Sequence, residues 1–233
     1  MEIKGKQVTE NFANEVDAYW IDKDNDSVFA CPNVSLFRLI GSAVGSLSNK
    51  QVLEVGLGNG ADLMECKRRG ADIAGLDLNP KYVEKVRAES QCDVRQFRAG
   101  TDDIPFEQAF DLIYSRDTIY YLTDIELSQF FVQCSENLTN NGTLIVQFIE
   151  TDLKLKEGVS QSTQYFDAEF LSQYEPHLIC TEVNPIRFLV ADDVIRIAES
   201  NALTLVGTKK LIQSYDLHES EFRVDKYLVF ARA

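Results

Sequence analysis

This sequence is poor in the residues from which metal centres and disulfide frameworks are built. Its 233 residues include two histidines, and the five cysteines are scattered singly, with no C-x-x-C pair among them. Metal clusters use Cys or His at close spacing, and a disulfide framework normally uses an even number of cysteines. The composition therefore argues against a metal site and predicts single, small, buried cysteines in a reducing compartment.

Long apolar runs and positive charge are also scarce. No apolar stretch is long enough to span a bilayer, and the first twenty residues lack the apolar segment of a signal peptide. Asp and Glu number 37 against 23 Lys and Arg, which gives a net charge of −14. A surface this negative repels phosphate backbones and anionic lipids. We expect a cytoplasmic protein that binds neither nucleic acid nor membrane; its oligomeric state stays open.

From about residue 50, strand-length apolar runs alternate with helix-like stretches. The predicted strands cover 51–55, 72–78, 93–99, 110–115 and 143–150, with "TNNG" as the turn before the last of these. Such alternation is typical of a parallel sheet covered by helices on both faces. In the tail, two further strand-like runs are joined by "HESE". We predict an α/β fold: a doubly wound, Rossmann-like sheet of about seven strands, mostly parallel, with an antiparallel C-terminal hairpin.

Two regions stand outside this alternation, and no Pro/Gly/Ser linker divides the chain, so we predict a single domain over 1–233. Residues 1–48 predict an N-terminal helical cap. Residues 151–188 leave the fifth predicted strand at its carboxyl end. Because ligands of doubly wound sheets bind beyond the carboxyl ends of the strands, we expect 151–188 to cover a substrate.

The stretch "QVLEVGLGNGADL" follows a strand with three closely spaced glycines. A glycine turn before a helix presents backbone N–H groups and permits close approach by a ligand. The dinucleotide pattern G-x-G-x-x-G/A is met by Gly56, Gly58 and Ala61. The S-adenosylmethionine pattern, acidic-x-G-x-G-x-G, is met at every position by Glu54, Gly56, Gly58 and Gly60. A tight turn without any ligand is the third interpretation.

A carboxylate supports an adenosine ligand. Asp77 ends the second predicted strand, where it can accept hydrogen bonds from both hydroxyls of a ribose. Dinucleotides and S-adenosylmethionine both contain adenosine. Asp77 therefore indicates adenosine without choosing between the two ligands.

Five motifs together resemble those of class I S-adenosylmethionine-dependent methyltransferases, over roughly residues 50–150. They are "LEVGLGNGAD", "GLDLNP", "TDDIPF", "FDLIYSRDTIYYL" and "LTNNGTLIV". The resemblance implies S-adenosylmethionine as cofactor and S-adenosylhomocysteine as product. The contacts it implies are Glu54 near the ammonium end, the backbone of Gly56, Gly58 and Gly60, Asp77 at the ribose, Leu78 at the adenine, Thr101 and Asp102 at the adenine edge, and Ser115 and Arg116 beside the methionine. Which of Thr101 and Asp102 meets the adenine amino group stays open, because family members often have a longer "GDAEDLPF" here.

Methyl transfer requires alignment in a dry site, and an amine or hydroxyl acceptor can also need a base. Three residues are candidates for catalysis: His218 in the hairpin link, His177 in the covering segment, and Tyr120 after the fourth predicted strand. The alternative for each histidine is a solvated turn residue, and for Tyr120 it is core packing.

These observations predict a methyltransferase that acts on an oxygen or nitrogen atom of a small polar molecule, with a sugar or sugar-derived intermediate as one candidate. The polar and aromatic covering segment suits an enclosed small substrate. The enzyme alternative is an NAD-dependent oxidoreductase, because G-x-G-x-x-A is present. The non-enzyme alternative is a catalytically inactive methyltransferase-like binding domain.

Overall fold

A computed structural model describes residues 6–21, 23, 31–150, 164–166, 186–187, 189–214 and 222–233. The candidate catalytic residues His177 and His218 lie outside these described residues. Most of the predicted covering segment, 151–188, also lies outside them.

The described elements follow the predicted alternation of strands and helices. The strands are β1 (Lys6–Gln7), β2 (Gln51–Val55), β3 (Asp72–Asp77), β4 (Asp93–Gln96), β5 (Phe110–Arg116), β6 (Leu138–Ile149), β7 (Gln164–Phe166), β8 (Ile186–Arg187), β9 (Leu203–Ser214) and β10 (Phe222–Arg232). The helices are α1 (Glu10–Ile21), α2 (Val34–Ala43), α3 (Ala61–Arg68), α4 (Pro80–Ser90), α5 (Asp124–Asn137) and α6 (Ala191–Glu199), with a 3₁₀-helix at Ile119–Tyr121. No helix among these elements has the length and apolar character needed to cross a membrane.

The main sheet has seven strands in the order β4-β3-β2-β5-β6-β10-β9. Strand β2 pairs in parallel with β3 and β5, and β5 pairs in parallel with β6. Strand β10 is antiparallel to both β6 and β9. Strand β9 therefore runs in the direction of the parallel strands. The predicted fold class, with its antiparallel terminal hairpin, is confirmed.

Both faces of the sheet are buried, because consecutive strand residues point to opposite faces and helices cover each face. Leu53, Ile113 and Val146 face a core that includes Phe12 of α1. A second core lies on the opposite face, between the sheet and α2. Its strand residues are Val52, Leu112, Tyr114 and Ile145, and its α2 residues are Leu36, Phe37 and Ile40. The N-terminal helices thus cover opposite faces of one sheet.

One predicted turn lies inside a strand. The pairing of β5 with β6 passes from Phe110↔Leu138 to Leu112↔Thr143, so "TNNG" is a bulge within β6 and not a turn before it. Strand β6 therefore begins at Leu138, earlier than predicted, and the Leu138 side chain is buried. Gly142 fits beside it because an added Cβ would lie 2.8 Å from Leu138 Cδ2. The predicted third strand is also shorter, ending at Gln96.

A small second sheet, in the order β1-β7-β8, was not predicted. Lys6 pairs with Tyr165, and Tyr165 pairs with Arg187. This sheet joins the N-terminal region to the segment that follows β6. The Arg187 side chain is buried and donates to the carbonyl of Leu122, just after the 3₁₀-helix at the end of β5.

Candidate active site

The glycine turn after β2 contains two glycines that the protein itself requires. All three have positive φ: +77° at Gly56, +52° at Gly58 and +78° at Gly60. A Cβ at Gly56 would lie 2.0 Å from Thr118 Oγ1, and a Cβ at Gly60 would lie 2.6 Å from Val86 Cγ2. At Gly58 an added Cβ meets nothing within 4 Å. Of the three glycines, Gly58 is therefore the one whose backbone faces open space.

Asp77, at the end of β3, is bound directly to this turn. Its Oδ2 accepts a hydrogen bond from the Gly58 N–H at 2.8 Å, and its Oδ1 accepts one from the Asn79 N–H at 2.8 Å. Burial raises the pKa of Asp77 to about 6, against the lowering effect of these backbone bonds. A carboxylate has about four acceptor sites, so acceptor capacity remains for the predicted ribose contact beside the backbone N–H groups of Gly58, Leu78 and Asn79. The neighbouring Leu78 is half-buried.

The loop after β4 is organised by Arg98, a residue that the sequence analysis missed. Its backbone N–H donates to Asp102 Oδ2 at 2.7 Å, and its guanidinium donates to Thr101 Oγ1. The same guanidinium pairs with Asp17 of α1 at 2.7 Å and with Glu126 of α5. Thr101 and Asp102 are both exposed and both bound to Arg98. The question of which one meets the adenine stays open.

Glu54 is a buried carboxyl group beside the turn. It is 3% exposed, and its Oε2 has no hydrogen-bond partner among the described residues. Its pKa is raised well above the usual value, first by burial and next by Asp62, while Arg116 and a hydrogen bond from Tyr114 oppose the rise. Glu54 thus combines a buried acidic group with one unused acceptor.

Ser115 and Arg116 end strand β5, next to Glu54 across the sheet. Ser115 Oγ is buried and has no partner among the described residues. Arg116 Nε pairs with Asp62 Oδ2 at 2.7 Å, and the backbone N–H of Asn33 donates to Asp62 Oδ1 at 2.7 Å. Arg116 therefore links β5 to the first turn of α3 and to the start of α2. Ser115 retains an unused polar atom.

Asp117, directly after β5, is the second residue that the sequence analysis missed. Its φ of +54° is uncommon for a residue other than glycine, and such strain concentrates at functional sites. Its backbone N–H donates to Gln147 Oε1 at 2.9 Å, and Gln147 Nε2 donates to Asp225 Oδ1 at 2.9 Å. The available signal was an acidic residue at the carboxyl end of a buried strand.

Tyr120 shows the core packing that was one of its two predicted roles, and its catalytic role stays a prediction. It is 5% exposed and its ring lies 4.5 Å from that of Tyr121. Its hydroxyl also donates to Asp117 Oδ1 at 3.4 Å. Of the three predicted catalytic residues, Tyr120 is therefore the one that the described structure places at this end of the sheet. Over the same described ranges, no group of three or more His, Cys, Asp or Glu residues could hold a metal ion.

Residues 52–142 match the family model of a methyltransferase domain. A phosphoethanolamine N-methyltransferase from Plasmodium falciparum is 32% identical over 103 residues, which are 42% of this chain and 38% of that protein. The alpha N-terminal protein methyltransferase 1 of Dictyostelium discoideum is 26% identical over 115 residues, 49% of this chain and 39% of its own length. The chain thus spans less than half the length of these two relatives.

Solved structures share the fold across nearly the whole chain. A TehB-like S-adenosylmethionine-dependent methyltransferase from Corynebacterium glutamicum covers 97% of this chain and is itself fully covered, with a TM-score of 0.59 and 17% identity. An S-adenosylmethionine-dependent methyltransferase from Mesorhizobium loti covers 86% of this chain and is covered to 99%, with a TM-score of 0.64 and 11% identity. The resemblance seen in the sequence is confirmed: residues 52–142 match the model of a methyltransferase domain, and the chain has the fold of the class I S-adenosylmethionine-dependent methyltransferases.

Proposed function

We propose that this chain is an enzyme that transfers the methyl group of S-adenosylmethionine to an oxygen or nitrogen atom of a small polar molecule. The observation that carries the proposal is the carboxylate of Asp77, bound to the N–H of Gly58 where that glycine faces open space. In a chain with a methyltransferase domain, this arrangement fits the ribose and its neighbouring atoms.

The remaining site residues also fit this cofactor. Glu54 Oε2 and Ser115 Oγ are buried polar atoms without partners in the described part of the chain. Buried polar atoms are normally hydrogen-bonded, so such orphans suit a ligand with polar groups. Glu54 is proposed at the ammonium end, and Ser115 beside the methionine portion. When bound, the cofactor supplies a methyl group on a sulfonium centre, an already activated leaving group.

The chain's own contribution is to orient the acceptor and to handle its proton. Asp117 Oδ1 and the Tyr120 hydroxyl form a hydrogen-bonded pair beside Ser115, at the end of β5. A carboxylate held in this way can accept a proton from a hydroxyl or ammonium group. The polar chain from Asp117 through Gln147 to Asp225 suits a polar acceptor, and sugars or sugar-derived intermediates remain the proposed example. His177 and His218 stay proposed alternatives for the base.

The covering role of 151–188 and the cap role of 1–48 are also proposals. They are supported by the pairing of β1 with β7 and of β7 with β8, which brings both regions together. They are also supported by Arg187, whose buried guanidinium binds the Leu122 carbonyl after the 3₁₀-helix. Arg187, the described end of this segment, therefore contacts the chain directly after Tyr120 and Tyr121.

Calorimetry separates the proposed function from its alternatives. We expect S-adenosylhomocysteine to bind to the purified chain and NADH not to bind. Methyl transfer from labelled S-adenosylmethionine would then be measured over a panel of amines, hydroxyl compounds and sugars. Binding of NADH alone would support the oxidoreductase. Binding of S-adenosylhomocysteine without transfer to any acceptor would support the inactive binding domain.

A further inference from the structure

Helix α1 contains a buried polar atom, the indole nitrogen of Trp20. We infer that the indole N–H of Trp20 binds the bound cofactor, by donating a hydrogen bond to the carboxylate of its methionine portion. This inference rests on the proposed function. It adds a binding residue from outside the methyltransferase domain of residues 52–142.

The end of α1 is fastened to the loop that follows Asp77. The last carbonyl groups of a helix lack partners within the helix. Here the Asn79 side chain is the donor: its Nδ2 donates to the carbonyl of Trp20, in the last turn, at 2.8 Å and to that of Lys23, beyond the end of the helix, at 2.9 Å. Asn79 is fully buried, and its own N–H donates to Asp77 Oδ1 at 2.8 Å. The backbone of Trp20 is therefore held next to the predicted ribose contact.

A second attachment joins α1 to the loop that follows β4. Asp17, one helical turn before Trp20, pairs with Arg98 Nε at 2.7 Å. Arg98 also binds Thr101 and Asp102, the two residues predicted at the adenine edge. Helix α1 is thus tied to both loops that the resemblance places around adenosine. We call α1 with its contacts at Asp17 and Trp20 the strap.

The ring of Trp20 reaches from the strap towards the ends of β2 and β5. It packs against a hydrophobic cluster that contains Leu57, the residue between Gly56 and Gly58. It also makes an edge-to-face contact with Tyr121, with ring centroids 5.3 Å apart. The ends of β2 and β5 are where Glu54 and Ser115 supply the unpartnered atoms proposed for the methionine portion.

The indole nitrogen itself is a donor without an acceptor. Trp20 Nε1 is buried and has no hydrogen-bond partner among the described residues. A buried N–H left unpaired is costly, which favours a ligand that supplies an acceptor. The indole nitrogen can only donate, so it needs a group that can accept. In the methionine portion, the carboxylate oxygens are the strong acceptors, and a hydrogen bond to a charged group is stronger than one between neutral groups.

The first experiment uses the fact that Trp20 is the single tryptophan of the chain. Its fluorescence, excited selectively, reports on the strap without any introduced label. We expect saturation with S-adenosylhomocysteine to change the emission and to protect Trp20 from acrylamide quenching. Calorimetry on the same sample establishes saturation independently. An unchanged emission and unchanged quenching at proven saturation would overturn the inference while leaving the proposed cofactor intact.

The second experiment compares two ligands that differ in the methionine portion. Trp20→Phe keeps an aromatic ring and removes the N–H. Loss of a hydrogen bond to a charged group should weaken S-adenosylhomocysteine binding by about tenfold or more. Binding of 5′-methylthioadenosine, which lacks the carboxylate, should change by less than about twofold. Asn14→Ala, at an exposed position of the same helix, is the control and should leave both affinities within about twofold of wild type.

The outcomes distinguish three cases. Equal weakening of both ligands by Trp20→Phe would show that Trp20 only packs on the nucleoside, and would overturn the carboxylate assignment. Unchanged affinity for both ligands would overturn the inference altogether. If wild type itself binds no S-adenosylhomocysteine, the proposed function fails, and the inference fails with it. Circular dichroism and a melting curve confirm that each variant is folded.

Discussion

At the scale of single residues, the site holds two carboxyl groups whose burial is unfavourable to the folded chain. Asp77 and Glu54 both have a raised pKa, with burial as the main cause. An acid whose pKa is higher in the folded state binds more protons when folded. Between its unfolded and folded pKa values, it therefore makes the protein less stable as the pH rises. Such a cost at a binding site is typical of residues kept for function.

The raised pKa of Asp77 predicts that the affinity for the cofactor depends on pH. Its pKa of about 6 means that the carboxylate gains a proton as the pH falls through 6. The protonated group loses acceptor capacity, so affinity for S-adenosylhomocysteine should decrease from pH 7.5 to pH 5. Calorimetric titrations across this range test the expectation. Asp77→Ala should bind at least about tenfold more weakly at pH 7.5 and should lose most of the pH dependence. Constant affinity from pH 5 to 7.5 in wild type would contradict the ribose assignment.

The raised pKa of Glu54 predicts how the stability of the ligand-free protein changes with pH. Glu54→Gln keeps the shape of the side chain and removes the buried acid. Because the folded-state pKa of Glu54 is raised, wild type loses stability as the pH rises above the ordinary value of 4.5. The stability of the variant relative to wild type should therefore be higher at pH 8 than at pH 5. Urea unfolding at both pH values measures this. Glu136→Gln, at an exposed position of α5, is the control; equal behaviour of the two variants would refute the prediction.

The glycines of the turn allow a matched pair of substitutions. Gly58→Ala and Gly60→Ala both place a Cβ at positive φ, so both pay a similar backbone cost. Only the Cβ at position 60 also collides with Val86. We therefore expect Gly60→Ala to lower the melting temperature more, and Gly58→Ala to lower the affinity for S-adenosylhomocysteine more. If Gly58→Ala binds normally, the open space at Gly58 is not part of the cofactor site.

At the scale of elements, the strap is the feature that could not be assigned from the sequence. Its helical character was predicted as part of a cap, and its buried residues Phe12 and Val16 show the expected apolar face. Its position over the site depends on Arg98 and Asn79, which are remote in the chain. Local patterns specify that a helix forms, whereas such distant partners decide where it packs.

Weakening the strap should speed cofactor release. Asp17→Asn removes the charge that pairs with Arg98, while the other partners of Arg98, such as Glu126, remain. The dissociation rate of S-adenosylhomocysteine should increase several-fold with a smaller change in the association rate, because affinity changes appear mostly in dissociation. Stopped-flow fluorescence of Trp20 measures both rates. Asp193→Asn, in an exposed ion pair of α6, is the control. Equal dissociation rates in wild type and Asp17→Asn would show that this ion pair does not retain the cofactor.

At the scale of the whole molecule, the net charge of −14 should make stability depend on salt. Like charges repel in the compact state, and the screening length shortens from about 30 Å at 0.01 M to about 8 Å at 0.15 M salt. The melting temperature at pH 8 should therefore rise over this range. Near pH 5, close to the isoelectric point of about 4.6, the rise should largely disappear. A melting temperature that falls with salt at pH 8 would mean that attractive ion pairs outweigh the net repulsion.

The sequence by itself determined the alternation of strands and helices, the terminal hairpin, and the placement of the glycine turn and Asp77 at the carboxyl ends of neighbouring strands. These features are written in local spacing, since strand periodicity, turn glycines and a polar strand end each occupy a few consecutive residues. The resemblance added the predicted order of the cofactor contacts along the chain.

Tertiary structure alone decided which polar groups are already satisfied by the protein and which are not. Positions 56 and 60 need glycine because an added Cβ would collide with Thr118 or Val86. The Thr101 hydroxyl already accepts a hydrogen bond from Arg98. Trp20 Nε1 has no hydrogen-bond partner within the described part of the chain. Each of these outcomes depends on contacts between residues far apart in sequence, whose geometry is set by the packing of the whole core. Local sequence patterns do not specify such contacts, so the position of the strap could be read only from the folded chain.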